Sequence, residues 1–389
     1  MTETADAIIV GAGVQGASLA YHLARRGVRP VVLDARTLAG GATGRSSGLV
    51  RLHYDLEPEA RLAWASFPYF QEWRERIGGE CGFVRTGFLQ LMSREDADRL
   101  RTNVAMQQRL GIPTLLVGAD DVGRLAPGLV TSDFDVAAYE PESGYADPTA
   151  TAAGFMAAAR RHGATLVQGC RVTAIATAGG RIGGIETTRG TFSAPVVVDA
   201  AGAWAAEVGR LAGLALPIGV WRHDVAFIRR PDGPAAGIPT VIDDRNAMYF
   251  RPEGRELLLV ALEDGNQMDG SPDRETEAVE PGFVDRAVDR ICRRIPGMVD
   301  GALHSTHSGQ DGITPDQRPI LGPAGPEGFV LDCGFSGTGF KTAPAVGASL
   351  AELIVDGRAT TVDISPFALQ RFAEGRPLGG ESGGRTIWR

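Results

Sequence analysis

The chain has 389 residues, 43% hydrophobic and 22% charged, which is enough for two domains with their own cores. Its net charge is −8 with no basic block, which argues against nucleic acid as a partner, because phosphate binding needs clustered positive charge. No apolar run reaches the ~20 residues that span a bilayer, the acidic start is unlike a signal peptide, and Cys81, Cys170, Cys292 and Cys333 are too scattered for a disulfide framework or a thiolate zinc site; the expectation is a cytoplasmic protein without metal.

Ala7 to Val10 reads AIIV, a buried parallel strand. The turn Gly11-Ala-Gly-Val-Gln-Gly16 follows at once, then a helix over Ala17 to Arg26 closed by Gly27. Pro30 to Asp34 is the second strand, so the first 34 residues form one βαβ unit. Gly40 to Gly48 is a small-residue loop. Helices are expected over Glu57–Ile77, Arg94–Leu110, Thr149–His162, Phe283–Ile295 and Ala343–Val355. Strands are expected in Gly82–Met92, Ala164–Val172, Pro195–Ala201 and Gly328–Cys333, with a β-meander over 172–192. Residues 217–262 alternate apolar and polar, as an antiparallel sheet does.

These segments predict an α/β fold. A Rossmann-like, glutathione-reductase-like cofactor domain is drawn from 1–80, 145–215 and 320–375. An α+β substrate domain with an antiparallel sheet is drawn from 81–144 and 216–319, and 376–389 form a flexible tail.

GxGxxG is weak alone, but here a strand precedes it, a helix follows it and Asp34 ends the next strand. Gly11 permits the tight turn, Gly13 lets the backbone approach a diphosphate, and Gly16 brings helix and strand together. The diphosphate then meets the positive end of the helix, beside Val14. Asp34 suits a ribose diol and disfavours a 2′-phosphate, with Ala35 and Arg36 next to it. The βαβ unit alone does not separate NAD from FAD. The long loop Thr43-Gly44-Arg45-Ser46-Ser47, the turn at Ala201-Gly202-Ala-Trp204 and the turn Gly337-Thr338-Gly339-Phe340-Lys341 favour FAD. Together with the βαβ turn they converge on one extended cofactor.

The motifs GAGVQG, TGRSSGLVRLHY, VVDAAGAW, TPDQRPILGP and GFSGTGFK resemble those of the flavoprotein family of D-amino acid oxidase, glycine oxidase and sarcosine oxidase. The likeness runs from Ala7 to about Gly357 and is strongest toward sarcosine oxidase, monomeric or β subunit, and dimethylglycine dehydrogenase. It implies an enzyme that oxidises the C–N bond of a small secondary or N-methylated amino acid, passing hydride to flavin N5 and leaving an imine that water hydrolyses. It implies that Val172 meets the adenine, that Gly202 and Trp204 form the second cofactor turn, and that Gly337 to Phe340 lie by the ring. Arg51, and Lys341 as the only lysine of the chain, correspond to the substrate-carboxylate anchors. Tyr249 and His223 are expected in the substrate pocket, with Tyr54, His53 and Asp311 as weaker candidates.

The attachment residues that covalent members use fall at Gly309 and Arg45, so FAD is expected to be non-covalent. Cys333 reads as a core residue. The oxygen-activating lysine of sarcosine oxidases has no counterpart in Glu256–Val260, which favours a dehydrogenase with another electron acceptor over an oxidase. The missing arginine before Thr314-Pro315 disfavours free D-amino acids as substrates. A D-amino acid or glycine oxidase-like enzyme, a β-like subunit with partner subunits, a flavin monooxygenase and a non-enzymatic FAD protein stay open as alternatives.

Overall fold

The computed structural model describes residues 2–231, 237–265, 268, 270–273 and 278–379. A six-stranded sheet runs in the order Thr165–Gln168, Pro30–Asp34, Ala7–Val10, Val197–Asp199, Phe329–Cys333 and Ile320–Pro323. All neighbours are parallel except the last pair. In register, Val197 faces both Ile8 and Phe329. Ile8, Val197 and Phe329 therefore point to one face and Ile9, Val198 and Val330 to the other. The second set packs under Val14–Arg25, Glu57–Gln71, Pro148–Arg161 and Gly339–Asp356. The first set packs toward the meander Val172–Ala178, Arg181–Thr187 and Gly190–Ser193. Burial on both faces is why these strands read as continuous apolar runs.

An eight-stranded sheet runs in the order Ala302–Ile313, Gly219–Arg229, Leu257–Leu262, Met248–Glu253, Thr240–Asp243, Phe88–Leu91, Val136–Glu140 and Leu115–Gly118. Only Thr240–Asp243 against Phe88–Leu91 is parallel. One face buries Phe283, Ala287 and Ile291 of the Phe283–Arg294 helix. The other carries Trp221, Tyr249 and Phe88. The cofactor-type sheet is thus built from residues before 35, from 165–199 and from 320–333, and the second sheet from the intervening stretches.

Several elements differ from expectation. The helix expected over Glu57–Ile77 breaks at Glu72 (φ −118°, ψ 35°) into Glu57–Gln71 and Trp73–Arg76. The strand expected over Ala164–Val172 stops at Gln168, because Gly169 takes φ +63° and the chain re-enters the meander at Val172. The last long helix begins at Gly339, four residues early, which puts Lys341 in its first turn. Of the expected tail, 380–389 lie outside the described residues, whereas the Leu378 N–H donates to Asp316 at 3.0 Å. Among the described residues no helix is long and apolar enough to cross a membrane.

Candidate active site

One cavity of about 580 Å³ lies along the carboxyl ends of the six-stranded sheet and reaches the inner face of the eight-stranded one. At its nucleotide end Gly11 has φ +112°, and a Cβ there would stand 2.3 Å from the Ala200 carbonyl oxygen. Only glycine fits that turn. A Cβ on Gly16 would meet the Gly11 oxygen at 2.0 Å, so Gly16 acts by letting the helix lie close to the strand. The Val14–Arg25 helix has no acid in its first turn, which leaves its positive end available to an anion. Asp34 accepts hydrogen bonds from the Ala12 and Arg36 N–H groups, both at 2.7 Å. The Arg36 guanidinium lies 4.5 Å over the Trp204 ring, beside Val172 and Thr173 on the cavity wall. An anchored acid, an open helix end and a glycine cradle with no room for Cβ atoms are what a dinucleotide needs.

The segment Thr43 to Arg51 runs along the cavity. At its start the Thr43 hydroxyl accepts from the Val14 N–H at 3.0 Å. Midway, the Ser47 hydroxyl hydrogen-bonds the Tyr249 hydroxyl. The Tyr249 hydroxyl also meets His223 Nε2 at 2.9 Å. His223 stacks on Tyr249 at 5.7 Å and lies 4.7 Å from Trp221, ring centre to ring centre. Trp221 and His223 are two apart on one strand and so share the inward face.

Arg51 ends the segment and is 1% exposed. Its Nη1 donates to the His53 carbonyl, and its centre lies 4.6 Å over Tyr54. Nε and Nη2, one edge of the guanidinium, have no hydrogen-bond partner among the described residues. Lys341 Nζ lies 6.0 Å from the same Tyr54 ring and donates to the Gly337 carbonyl at 3.3 Å. Burial, and then the Arg51 charge, hold the Lys341 ammonium well below its ordinary range. Arg51 and Lys341 thus stand around one ring, where an arriving anion would favour the protonated lysine. Asp311 accepts from the Gly312 and Gly337 N–H groups at 2.8 Å each, tying the 337–341 turn to the second sheet. Its burial raises its pKa.

Of the residues singled out in the sequence, Gly11, Gly13, Val14, Asp34, Ala35, Arg36, Thr43, Arg45, Ser46, Ser47, Val172, Ala201, Gly202, Trp204, Gly337, Gly339, Phe340, Lys341, Arg51, Tyr249 and His223 line the cavity. Gly16, Gly44 and Thr338 do not. Gly44 packs behind the loop, where a Cβ would meet the Ala39 oxygen at 2.6 Å. The Thr338 hydroxyl donates to Phe335 O at 2.8 Å. Asp311 lines the cavity, whereas Tyr54 and His53 lie behind Arg51. Buried His53 has its pKa pushed down to about 3 by desolvation. Cys333 is buried in the core. Sequence reasoning missed Gln15, Trp221 and Asp332, which also line the cavity. Alternation from His223 would have found Trp221. No group of three His, Cys, Asp or Glu among the described residues could hold a metal.

The fold and the glycine turn beside Asp34 are those of a dinucleotide-binding protein, with the buried Arg51 and Lys341 lining the same cavity. Residues 6–353 match the DAO family of FAD dependent oxidoreductases, and the chain belongs to that family. Its cofactor is FAD. The chain is 29% identical to human mitochondrial sarcosine dehydrogenase over 96% of its own length and 42% of that protein's. It thus spans about two fifths of the sarcosine dehydrogenases it matches. It is also 29% identical to glycine oxidase from Geobacillus kaustophilus, over 95% of this chain and 98% of that one. The structure of L-proline dehydrogenase from P. horikoshii superposes with a TM-score of 0.90 at 26% identity, covering 97% of this chain and all of that one (100%).

Proposed function

We propose that the chain oxidises the C–N bond of a small secondary or N-methylated amino acid. The observation that carries this reading is the buried pair Arg51 and Lys341, with one guanidinium edge unsatisfied, at the far end of the cavity from Asp34. Arg51 forks onto the substrate carboxylate through Nε and Nη2. Lys341 takes the same carboxylate as a point charge, and the arriving anion favours its protonated form. Ser47, Tyr249, His223 and Trp221 form the wall that orients the amine and excludes water. FAD, when bound, would accept a hydride, and with it both electrons of the oxidation, from the substrate carbon. The names of the related sarcosine and L-proline dehydrogenases agree with a secondary amine.

Non-covalent FAD is part of the same reading. Position 309 is a glycine whose added Cβ would stand 2.7 Å from Arg45 Cβ, so neither position offers a thiol or an imidazole. The division into a cofactor domain and a substrate domain follows the two sheets. The electron acceptor is another protein or a small molecule in preference to oxygen, because the strand Leu257–Leu262 brings no lysine to the cavity.

The test is anaerobic bleaching of the holoenzyme by sarcosine, dimethylglycine, L-proline, L-pipecolate and D-alanine, with air admitted afterwards. Bleaching by a secondary or N-methylated amino acid and slow return of colour in air is the expected result. Bleaching by D-alanine alone would overturn it.

A further inference from the structure

Asp332 is the penultimate residue of the Phe329–Cys333 strand, in the cofactor-type sheet. It is 1% exposed, yet it lines the cavity, and neither carboxyl oxygen has a hydrogen-bond partner among the described residues. The register pairs Leu331 with Asp199, so Asp332 points to the opposite face from Asp199, toward the Val14–Arg25 and Gly339–Asp356 helices. There Gln15 bridges the two helix starts, its Nε2 donating to the Gly339 oxygen at 2.7 Å. The Gln15 Oε1 is also buried without a partner and also lines the cavity. A buried carboxyl with no donor near it is costly unless a ligand or its own proton completes it.

We infer that Asp332 is an FAD ligand, its carboxylic acid group donating a hydrogen bond to an oxygen of the cofactor's diphosphate. Asp332 lines the same cavity as Gly11, Gly13 and the open helix end, which suit an anion, so an ionised carboxylate facing that cavity would repel the diphosphate. The titratable groups around it do not supply a compensating contact. Asp199 on the neighbouring strand and Cys333 on its own are acids. Ala7–Val10 and Ile320–Pro323 bring none, the first helix brings none before Tyr21, whose hydroxyl is committed to the Arg76 carbonyl, and His22, and the last helix brings Lys341, whose Nζ turns to Gly337. Burial accordingly raises the Asp332 pKa to about 8. The inference concerns cofactor retention and stands apart from the substrate reading, since FAD release needs no amine.

The experiment follows FAD release from diluted holoenzyme by flavin fluorescence, across pH. Wild type should release FAD faster as pH rises through about 8. Asp332→Asn keeps a neutral donor and should hold FAD within about threefold of wild type with a flat profile. Asp332→Ala should bind FAD about 10-fold or more weaker. Should the alanine variant fail to fold, the near-isosteric asparagine variant decides alone. The inference is overturned by an unchanged pH profile in Asp332→Asn, by Asp332→Ala retaining FAD as wild type does, or by wild-type release that speeds up as pH falls, which would make the carboxylate an acceptor.

Discussion

Arg51→Ala is the perturbation that bears most directly on the proposed chemistry. Nη1 is already committed to the His53 carbonyl and the ring of Tyr54 carries the guanidinium from below, so the side chain is pre-set with Nε and Nη2 left over. Each charge-assisted hydrogen bond to a substrate carboxylate contributes about 1.5–3 kcal/mol. Losing both removes about 3–6 kcal/mol, or roughly 10²–10⁴ in kcat/KM. Arg51→Lys keeps the charge but not the planar fork, and should recover only part of that loss. The assay is steady-state kcat/KM with an artificial electron acceptor, at matched FAD content. The alanine variant also lifts one of the causes that depress the Lys341 pKa, so substrate affinity should become less sensitive to rising pH below the ordinary lysine range. A kcat/KM within about threefold of wild type at full FAD occupancy would refute the carboxylate role.

Gly11→Ala should abolish FAD loading, because φ +112° and a 2.3 Å approach to the Ala200 oxygen leave the Cβ no place; the FAD-to-protein absorbance ratio reads it directly. Arg318→Ala removes the guanidinium that pairs with both buried Asp55 and buried Glu59. Breaking such a buried cluster from one side costs about 3–5 kcal/mol, visible as a lower Tm with no change of substrate preference. Glu140 is fully buried and its pKa is raised from 4.5 to about 7 by desolvation. A carboxyl raised on folding contributes stability that is full below its unfolded pKa and lost as pH rises through its folded one. Tm should therefore fall between about pH 4.5 and 7, and Glu140→Gln should flatten that slope; an unaltered slope would exclude Glu140 as its source.

Much of this molecule was legible in the sequence because local chemistry dictates it. The first βαβ unit follows from AIIV, three spaced glycines and Asp34, and Gly11 and Gly16 have the steric reasons that their spacing implied. Two-face burial of the central strands was readable from unbroken apolar runs. What stayed hidden depends on partners far along the chain. Pro68 lies one turn before Glu72, but it sits inside the helix, and the break comes four residues after it. Pro344 and the glycines before it masked four residues at the start of the last helix. The parallel pairing of Thr240–Asp243 with Phe88–Leu91 joins segments more than a hundred residues apart and leaves no local mark. In the site, Arg51 and Lys341, expected as carboxylate anchors, do line the cavity, and they stood out by residue type. Trp221 and Asp332 did not, since a tryptophan on a strand and an acid in an apolar run acquire meaning only once the cavity is formed.

The segment Thr43–Arg51 fastens to the first helix through Thr43, to the second sheet through Ser47, and ends at Arg51. It works as a covalent ruler. An extended chain advances at most ~3.3–3.6 Å per residue, so the offset between Thr43 and Arg51 along the cavity, and with it the offset between cofactor and substrate in the proposed reaction, is bounded by the number of residues in one stretch of backbone. Inserting or deleting a residue there would slide substrate past cofactor, whereas exchanging Trp221, His223 or Tyr249 would reshape the opposite wall and leave that offset alone. Substrate range can thus diversify on one side of the cavity while the reacting distance is inherited unchanged on the other.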